Sequence, residues 1–251
     1  MRNPYAPGTL GRALVLQHHP DEHLGSLGPL VEQAGLALST VELDAGEAIP
    51  SLDPFDLLIV MGGPQQVWEE DRFPWLVGEK AAIRHWVGEM CRPFLGVCLG
   101  HQLLADAMGG RVERMEAPEI GVRDIALTAA GASEGLLSGF PPLFPALQWH
   151  EAEVVAAPPA GVVLAENPSS FIQSLRVNDC ALSVQFHVEV RPDTISKWAA
   201  VPEYERTLTA HFGSAHALER AVASRLGEMT AVATHLVSSL EGGIINARVG
   251  P

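Results

Sequence analysis

The 251-residue chain has a formal net charge of −14 at pH 7, from 16 basic and 30 acidic residues. Because such a chain repels phosphate backbones and anionic lipid, nucleic acid is excluded as an expected partner. Hydrophobic residues make up 47% of the chain, but no apolar run reaches the roughly 18 residues that span a bilayer, so no membrane association is expected.

The N-terminus and the cysteines indicate the cellular compartment. Residues 1–12, MRNPYAPGTLGR, contain no continuous apolar stretch of the kind that a secretory signal carries. The three cysteines, Cys91, Cys98 and Cys180, are odd in number and sparse for the length, so a disulfide framework is not expected. Both features predict a cytoplasmic protein.

Short apolar strands alternate with amphipathic helices along the first hundred residues. The strand at 56–61 is apolar throughout, as is typical of a strand covered on both faces. The alternation predicts an α/β fold with a mostly parallel central sheet and helices on both faces. Strands are predicted at 13–16, 36–43, 56–61 and 94–97, and helices at 24–34 and 75–90.

The pattern changes after Gly110. Short strand candidates, separated by proline and glycine turns, run over 111–190, with one brief helix near 133–137. We expect a small antiparallel elaboration here, after which the chain rejoins the main sheet.

From about Pro202 the chain is predicted to be helical, with one continuous apolar stripe. We therefore predict a main domain over 1–200 and a C-terminal helical extension over 201–251 that packs on it. The alternative is that the stripe forms the seam of a homodimer. The stripe consists of Leu218, Val222, Leu226, Met229, Ala233, Leu236 and Leu240.

Cys98 lies in an unusual setting. The run Gly96-Val97-Cys98-Leu99-Gly100 directly joins a predicted strand to a helical pattern. Glycine, nucleophile and glycine at this spacing are typical of a strand-to-helix elbow, whose turn is too tight for a Cβ atom on either side. A helix N-terminus favours a thiolate, and the N–H of Leu99 can stabilise an oxyanion. The alternative is a buried core cysteine, the usual position of an isolated cysteine.

A candidate base and its orienting group follow much later in the chain. His187 and Glu189 are two residues apart at the end of an extended apolar stretch, so on a strand they would point to the same side. A glutamate there could hold the imidazole and favour its protonated form. Taken alone, this pair is more typical of a chance occurrence or of an exposed polar strand end.

Two glycines follow the third predicted strand, in Met61-Gly62-Gly63-Pro64. Glycines at the carboxyl end of a parallel strand let backbone N–H groups approach a ligand, and open α/β sheets bind ligands at such ends. A tight turn before a loop is the alternative interpretation.

Together these motifs resemble the class I (triad) glutamine amidotransferase family, and within it the free-standing members described as GMP-synthase-like. The order is that of the family: a GGP turn, then G-x-C-x-G-H-Q, then a W-H pair, then Q-F-H-x-E. The resemblance covers about residues 12–198 and implies a flavodoxin-like fold.

The resemblance implies the following roles. Cys98 attacks the γ-carboxamide of glutamine, His187 is base and then acid, and Glu189 orients His187. The backbone N–H groups of Gly63 and Leu99 form the oxyanion hole.

Substrate contacts are implied for four further residues: Gly62, Gln102, His150 and Glu151. Residues 148–151, Gln-Trp-His-Glu, match the family's substrate-facing loop, whereas His101 is interpreted as structural. No cofactor is implied. Because His18, His19 and His211 show no metal-ligand spacing, no metal site is expected either.

The sequence departs from the family pattern at two places. Val188 occupies the position of a usual proline between the triad histidine and glutamate, which changes stiffness and not chemistry. Glu151 and Ala152 occupy the positions of a usual Gly-Asp pair. Glu151 and Glu153 add negative charge, which would favour a γ-glutamyl substrate that carries a positive group.

The ammonia acceptor is the remaining question. The sequence has no G-x-x-x-x-G-K-[ST] phosphate loop and no second domain of a size to bind ATP and an acceptor. We therefore expect a hydrolase of glutamine or a related γ-glutamyl compound. One alternative is a chain that donates ammonia to a separate synthase subunit. The other is a catalytically idle binding or regulatory protein.

Overall fold

The computed structural model describes residues 11–133, 137 and 139–248, with side chains described as far as Leu240. The first ten residues, where no signal sequence is expected, lie outside the described part of the chain. So do residues 134–136, the middle of the short helix predicted at 133–137; the neighbouring helix α4 is Ala129–Ser133.

The parallel half of the sheet confirms the predicted α/β alternation. Its strands lie in the order β2-β1-β3-β4-β9, and every neighbouring pair is parallel. Strands β3, β4 and β9 are buried at all four positions, which is why they appear in the sequence as unbroken apolar runs. The bounds are β1 Gly11–Gln17, β2 Leu36–Glu42, β3 Leu57–Val60, β4 Phe94–Val97 and β9 Ala181–Val184.

Helices cover both faces of this sheet, as predicted. On one face α1, Leu27–Gln33, shares a core with the last helix, α7, Ala215–Arg248. On the other face α2, Trp75–Ile83, and α3, Leu99–Ala107, form a second core around the buried indole of Trp86. The carboxyl ends of β1, β3 and β4 are thereby left as the edge at which a site can form.

The helix predicted at 75–90 changes its geometry halfway. After α2 the segment Arg84–Met90 is π-helical and ends at Cys91, which has a positive φ of 45°. The adjacent residues Trp86 and Val87 are both buried, and the Trp86 indole donates a 2.9 Å hydrogen bond to the Pro93 carbonyl. The spacing of apolar residues in a sequence does not distinguish an α-helix from a π-helix, since both bury one face.

The antiparallel half is larger than expected and is not a separate addition. The order continues β9-β8-β7-β5-β6, so the whole is one nine-stranded mixed sheet in the described residues. The prediction of short strands is wrong for two of them, since β5 is Arg111–Leu127 and β6 is Leu143–Ala156. The other two are β7 Gly161–Glu166 and β8 Ser174–Val177.

An internal proline explains why β5 looked like several short strands. The β5–β6 register shifts between Arg114 and Glu119, and Pro118 lies within this irregular stretch. Proline cannot donate to a ladder, so it is tolerated at a bulge and the strand continues beyond it. Residues 148–151, expected in a loop, lie within β6.

The C-terminal stripe is covered by the rest of the chain. Helices α5, Thr194–Trp198, and α6, Pro202–His211, precede α7. Six of the seven stripe residues are buried and only Leu226 is half-buried. The first part of the stripe packs around Trp149 and Trp198, and the second part packs against the α1 face of the sheet. This packing leaves no dimer seam along the described part of the stripe; the division at residue 200 stays a prediction.

None of the helices in the described residues has an apolar stretch long enough to cross a membrane.

Candidate active site

Cys98 occupies a strained turn between β4 and α3. Its φ is +51° and its ψ −103°, outside the regions that side chains ordinarily adopt, and its N–H bonds the Val184 carbonyl at 2.9 Å. The flanking glycines are required by space. A Cβ atom on Gly96 would lie 2.6 Å from the Gly100 oxygen, and one on Gly100 would lie 2.1 Å from the Val60 oxygen. The chain can therefore pass from strand to helix here only with glycine at both places.

This crowding makes a direct prediction. Gly100→Ala is expected to destabilise the protein by about 1–3 kcal/mol, because the added methyl meets backbone that cannot yield cheaply. Gly227→Ala is the matched control: Gly227 lies on the exposed side of α7, and a methyl added there would have nothing within 4 Å, so replacement should stabilise by about 0.5–1 kcal/mol. Urea unfolding of both variants measures the difference; equal stability would contradict the tight elbow.

The Cys98 sulfur faces a cavity of about 310 Å³. The residue is only 6% exposed. Its Sγ lies 3.7 Å from Nε2 of Gln185 and 3.9 Å from the Trp149 carbonyl oxygen. The residue packs against the apolar core on the α1 face of the sheet, but its sulfur has two polar neighbours, unlike that of an ordinary core cysteine. The other two cysteines lie elsewhere as free thiols, Cys91 exposed and Cys180 half-buried, with their sulfurs 3.1 Å apart.

His187 and Glu189 lie together, fully buried. Nδ1 of His187 is 2.6 Å from Oε1 of Glu189, whose Oε2 accepts the N–H of Val188 at 2.8 Å. The His187 backbone N–H bonds the Leu147 carbonyl, and the indole of Trp198 meets the imidazole edge-on at 4.6 Å. These contacts hold the imidazole in one orientation.

The charge of this pair is set by its neighbours. Burial alone lowers the pKa of His187, but the charge of Glu189 and the nearby Cys98 sulfur outweigh it and hold that pKa well above its usual value. The charge of Glu189 and the nearby sulfur thus both favour the protonated form of the imidazole.

The two glycines after β3 lie at different places. Gly63 lines the cavity together with Cys98 and Leu99. Gly62 is not among the residues that line it; its carbonyl accepts a 2.9 Å hydrogen bond from His18. A methyl on either glycine would lie within 2.5 Å of a neighbouring side-chain oxygen, so both allow close approach of the chain.

The remaining predicted substrate residues also border the cavity. Nε2 of Gln102 donates to the Ala152 carbonyl at 2.9 Å and to Oε1 of Gln185 at 3.1 Å. Both ring nitrogens of His150 are engaged, one with the Ala152 carbonyl and one with Glu119. His150 therefore has no free nitrogen to serve as a base toward Cys98. Glu151 accepts hydrogen bonds from Thr207 at 2.5 Å and Arg114 at 3.3 Å.

His101 is structural, as its buried contacts indicate. Its ring nitrogens lie 2.9 Å from Oγ of Ser183 and 3.2 Å from the Ile172 carbonyl. Burial lowers the pKa of His101 to about 3, so the ring is neutral.

The cavity wall carries both signs of charge. Arg72, Arg114 and Arg206 line it as well as Glu69, Glu151 and Glu203. Glu153, which was expected to add negative charge near the substrate, is not among the lining residues. The predicted preference for a positively charged substrate is therefore not supported by the wall.

Sequence reasoning missed two buried acidic contacts near the site. Glu79 pairs with His18 at 2.9 Å, and that imidazole also holds the Gly62 carbonyl. Glu119 accepts from His150 at 3.1 Å and from Asn167 at 2.7 Å. The sequence contained a signal for His18, because this residue directly follows β1, at the edge where open α/β sheets bind ligands.

A third missed residue, Glu22, lies beside the His187–Glu189 pair. Nitrogen and oxygen atoms from these three side chains lie within 4.8 Å of one another, so by distance alone they could hold a metal ion. However, the 2.6 Å between Nδ1 of His187 and Oε1 of Glu189 is shorter than the roughly 3.3 Å between two tetrahedral ligands at about 2.0–2.1 Å from zinc. The arrangement therefore fits a hydrogen-bonded pair better than a metal centre.

Comparisons with known proteins show which family and which relatives the chain is similar to. The family model "Glutamine amidotransferase class-I" matches residues 27–198. A subunit of the glutamine-hydrolyzing GMP synthase of Sulfolobus acidocaldarius is 31% identical over 157 residues, which are 62% of this chain and 79% of that protein. The glutamine amidotransferase-like protein YfeJ of Salmonella typhimurium is 29% identical over 189 residues, 73% of this chain and 78% of YfeJ.

Solved structures extend the likeness in fold. A glutamine amidotransferase from Thermotoga maritima has a TM-score of 0.80 at 24% identity and covers 92% of this chain and 98% of its own. One from Methylobacillus flagellatus has a TM-score of 0.83 at 23% identity, over 94% and 96% of the two chains. At such identities the structures show the fold alone. With the family model matching more than half of its length, the chain belongs to the class I glutamine amidotransferase family.

Proposed function

We propose that the protein hydrolyses the γ-amide of glutamine, or of a related γ-glutamyl compound, through Cys98, His187 and Glu189 and a thioester intermediate. The observation that carries this proposal is the buried imidazole of His187, which lies 2.6 Å from Glu189 and whose pKa is raised by the nearby Cys98 at the cavity. A nucleophile, a base and an orienting group in contact are what covalent acyl transfer requires.

The first half of the reaction cleaves the amide. The Cys98 thiolate attacks the γ-carbonyl carbon, a C–S bond forms, and the carbonyl π electrons move to oxygen. The N–H groups of Gly63 and Leu99, which border the cavity beside the sulfur, stabilise that oxyanion. When the intermediate collapses, the C–N bond breaks and the His187 imidazolium gives its proton to the leaving nitrogen, which departs as ammonia or an amine.

The second half restores the enzyme. Neutral His187 takes a proton from water, and the hydroxide attacks the thioester carbon. The C–S bond then breaks, glutamate leaves, and Cys98 returns as a thiolate beside the imidazolium. Glu189 keeps the imidazole oriented through both halves and stabilises its charged form, which exists twice in each turnover.

Gln102, His150 and Glu151 line the same cavity as Cys98 and would contact the amino-acid end of the substrate. Glu151 is held in place by Thr207 of α6. Glu151 can accept from a substrate α-ammonium. Gly62 supports the oxyanion turn through its bond with His18.

A second function is favoured by the relatives. The GMP synthase subunits of Sulfolobus acidocaldarius and Saccharolobus solfataricus are 31% and 33% identical to this chain over the matched residues, which favours a chain that donates ammonia to a separate synthase subunit. We place the self-sufficient hydrolase first, because the stripe of α7 is covered by its own chain and leaves no long apolar face for a partner in the described residues.

Turnover of the isolated chain distinguishes these functions. We expect the purified protein to release ammonia or glutamate from at least one member of a panel of γ-glutamyl amides, peptides and glutamine, at a rate that needs no second protein. A partner-dependent chain would be nearly silent by itself. No detectable turnover across the panel, with Cys98 still open to alkylation, would overturn the self-sufficient hydrolase; a chain whose Cys98 is also unreactive would favour the idle protein.

A further inference from the structure

Glu22 is a buried carboxyl group that the proposed mechanism does not use. It follows β1 and is only 2% exposed. Its Oε1 accepts a 2.6 Å hydrogen bond from the hydroxyl of Tyr204, which belongs to α6 and lines the cavity. Its Oε2 has no hydrogen-bond partner among the described residues. An unpartnered oxygen so deeply buried needs a reason, because burying a polar atom without a partner is costly.

The unpartnered oxygen and the His187 ring lie on the same side of Gly62. At Gly62, a Cβ atom would lie 2.5 Å from Oε2 of Glu22 and 3.3 Å from Cε1 of His187. Glycine at this position therefore leaves the carboxylate and the imidazole facing each other across a gap that any other residue would fill. The arrangement gives His187 a carboxylate on a second side, besides the one that it meets in Glu189.

Four ionisable groups from three parts of the chain face Glu22. They are His187 and Glu189 after β9, Tyr204 on α6 and His18 at the end of β1. Burial raises the pKa of Glu22 to about 7, with Glu189 acting in the same direction, while His187, Tyr204 and His18 oppose the rise. The group therefore changes charge close to neutral pH.

We propose that Glu22 is a positioning residue for the reaction, whose ionised carboxylate favours the imidazolium form of His187 and with it the thiolate form of Cys98. This inference rests on the proposed function, since it assumes that His187 and Cys98 exchange a proton. The hydrogen bond from Tyr204 connects the charge of Glu22 to α6, the helix that forms one wall of the cavity. Removal of that bond makes the ionised form less stable.

The sign of the pH effect follows. Below neutral pH Glu22 is protonated and neutral, so His187 has one carboxylate charge beside it and the thiol is favoured. As the pH rises through about 7, Glu22 becomes charged, the imidazolium–thiolate pair gains stability and Cys98 becomes more nucleophilic. A neutral side chain at position 22 removes this pH-dependent gain in the nucleophilicity of Cys98. Loss of the Tyr204 hydroxyl raises the pKa of Glu22 and moves the step to higher pH.

The test measures the rate of Cys98 alkylation by iodoacetamide from pH 5 to 9, by mass spectrometry of the Cys98 peptide in the full-length protein. Iodoacetamide is neutral, so the charge of the site does not select it, and no γ-glutamyl substrate is needed. Because every thiol reacts faster as it ionises, the quantity compared is the rate relative to Glu22→Gln at the same pH. We expect this ratio to rise by about tenfold through neutral pH for the wild type and at higher pH for Tyr204→Phe. Glu205→Gln, which removes an exposed carboxylate on the same helix, should keep the wild-type step.

The outcomes separate the two proposals. Equal pH profiles in wild type and Glu22→Gln would overturn the role of Glu22 while leaving the triad intact. If Glu22→Gln does not yield folded protein, the Tyr204→Phe profile decides, and an unmoved step overturns the inference. A Cys98 that never reacts, while the exposed Cys91 does, would overturn the proposed function and the inference with it.

Discussion

Cys98→Ala is expected to abolish the proposed γ-glutamyl hydrolysis. The loss is expected to be about 10⁶-fold, the size seen when the nucleophile of a triad is removed, because neither the thioester nor a substitute for it can form. Alanine keeps the Cβ of the elbow and its apolar packing, and the lost sulfur borders the cavity. The variant should therefore unfold within about 4 °C of the wild type.

Two measurements check this expectation. Ammonia release gives the activity, and labelling with diazo-oxo-norleucine identifies the reactive thiol. Only Cys98 should carry the label, although Cys91 is the most exposed of the three cysteines. Cys91→Ala is the matched control and should keep its activity. A label found mainly at Cys91 or Cys180 would refute the assignment of Cys98.

His187→Ala should lose nearly as much activity as Cys98→Ala. It removes both the proton acceptor and the proton donor, and with them the positive charge that stabilises the thiolate. Glu189→Gln should lose less, in the range of about 10²–10⁴-fold typical of one acid–base contribution, because the His187 backbone keeps its bond to Leu147 and the imidazole keeps its contact with Trp198. In that variant the pKa of His187 falls, since Glu189 is the main group that raises it.

The pH dependence of activity provides a second test of the Glu189→Gln variant. A lower pKa of His187 means that the imidazolium is lost at lower pH, so the alkaline limb of the profile should move to lower pH in Glu189→Gln. His85→Ala, an exposed histidine on the π-helical segment, serves as the control and should behave as the wild type. If His187→Ala retained more than about a tenth of the activity, well above the range for an acid–base group, another base would have to operate. His150 is not that base by its contacts, as both its ring nitrogens are bonded within the protein.

Several features of this protein were readable in the sequence because they are local. The elbow at Gly96–Gly100 depends on steric demands between residues four apart, and the glycine contacts at Val60 and Gly100 show how strict these demands are. Strands such as Phe94–Val97 are visible because all their side chains are buried, which leaves an unbroken apolar run. The covered stripe of α7 is likewise a periodic pattern, although the sequence left open what covers it.

Other features arise only when distant parts of the chain meet. The strands β5 and β6 could not be recognised at their full length, because Pro118 looks like a strand end when its partner strand is not known. The surroundings of the predicted site residues depend on pairs separated by long stretches: Glu22 meets Tyr204 across 182 residues, His18 meets Glu79 across 61, and Glu119 meets His150 across 31.

Such pairs leave no trace in a single sequence for a physical reason. A buried polar contact is specified by the distance and direction between two side chains, and not by a repeat along either segment, so nothing periodic marks it. The sequence by itself determined the α/β alternation and the elbow that holds Cys98, because sterics and apolar burial act at short range. Only the tertiary structure decided which carboxylates surround His187, since that depends on how β1, α6 and the end of β9 converge beside the elbow.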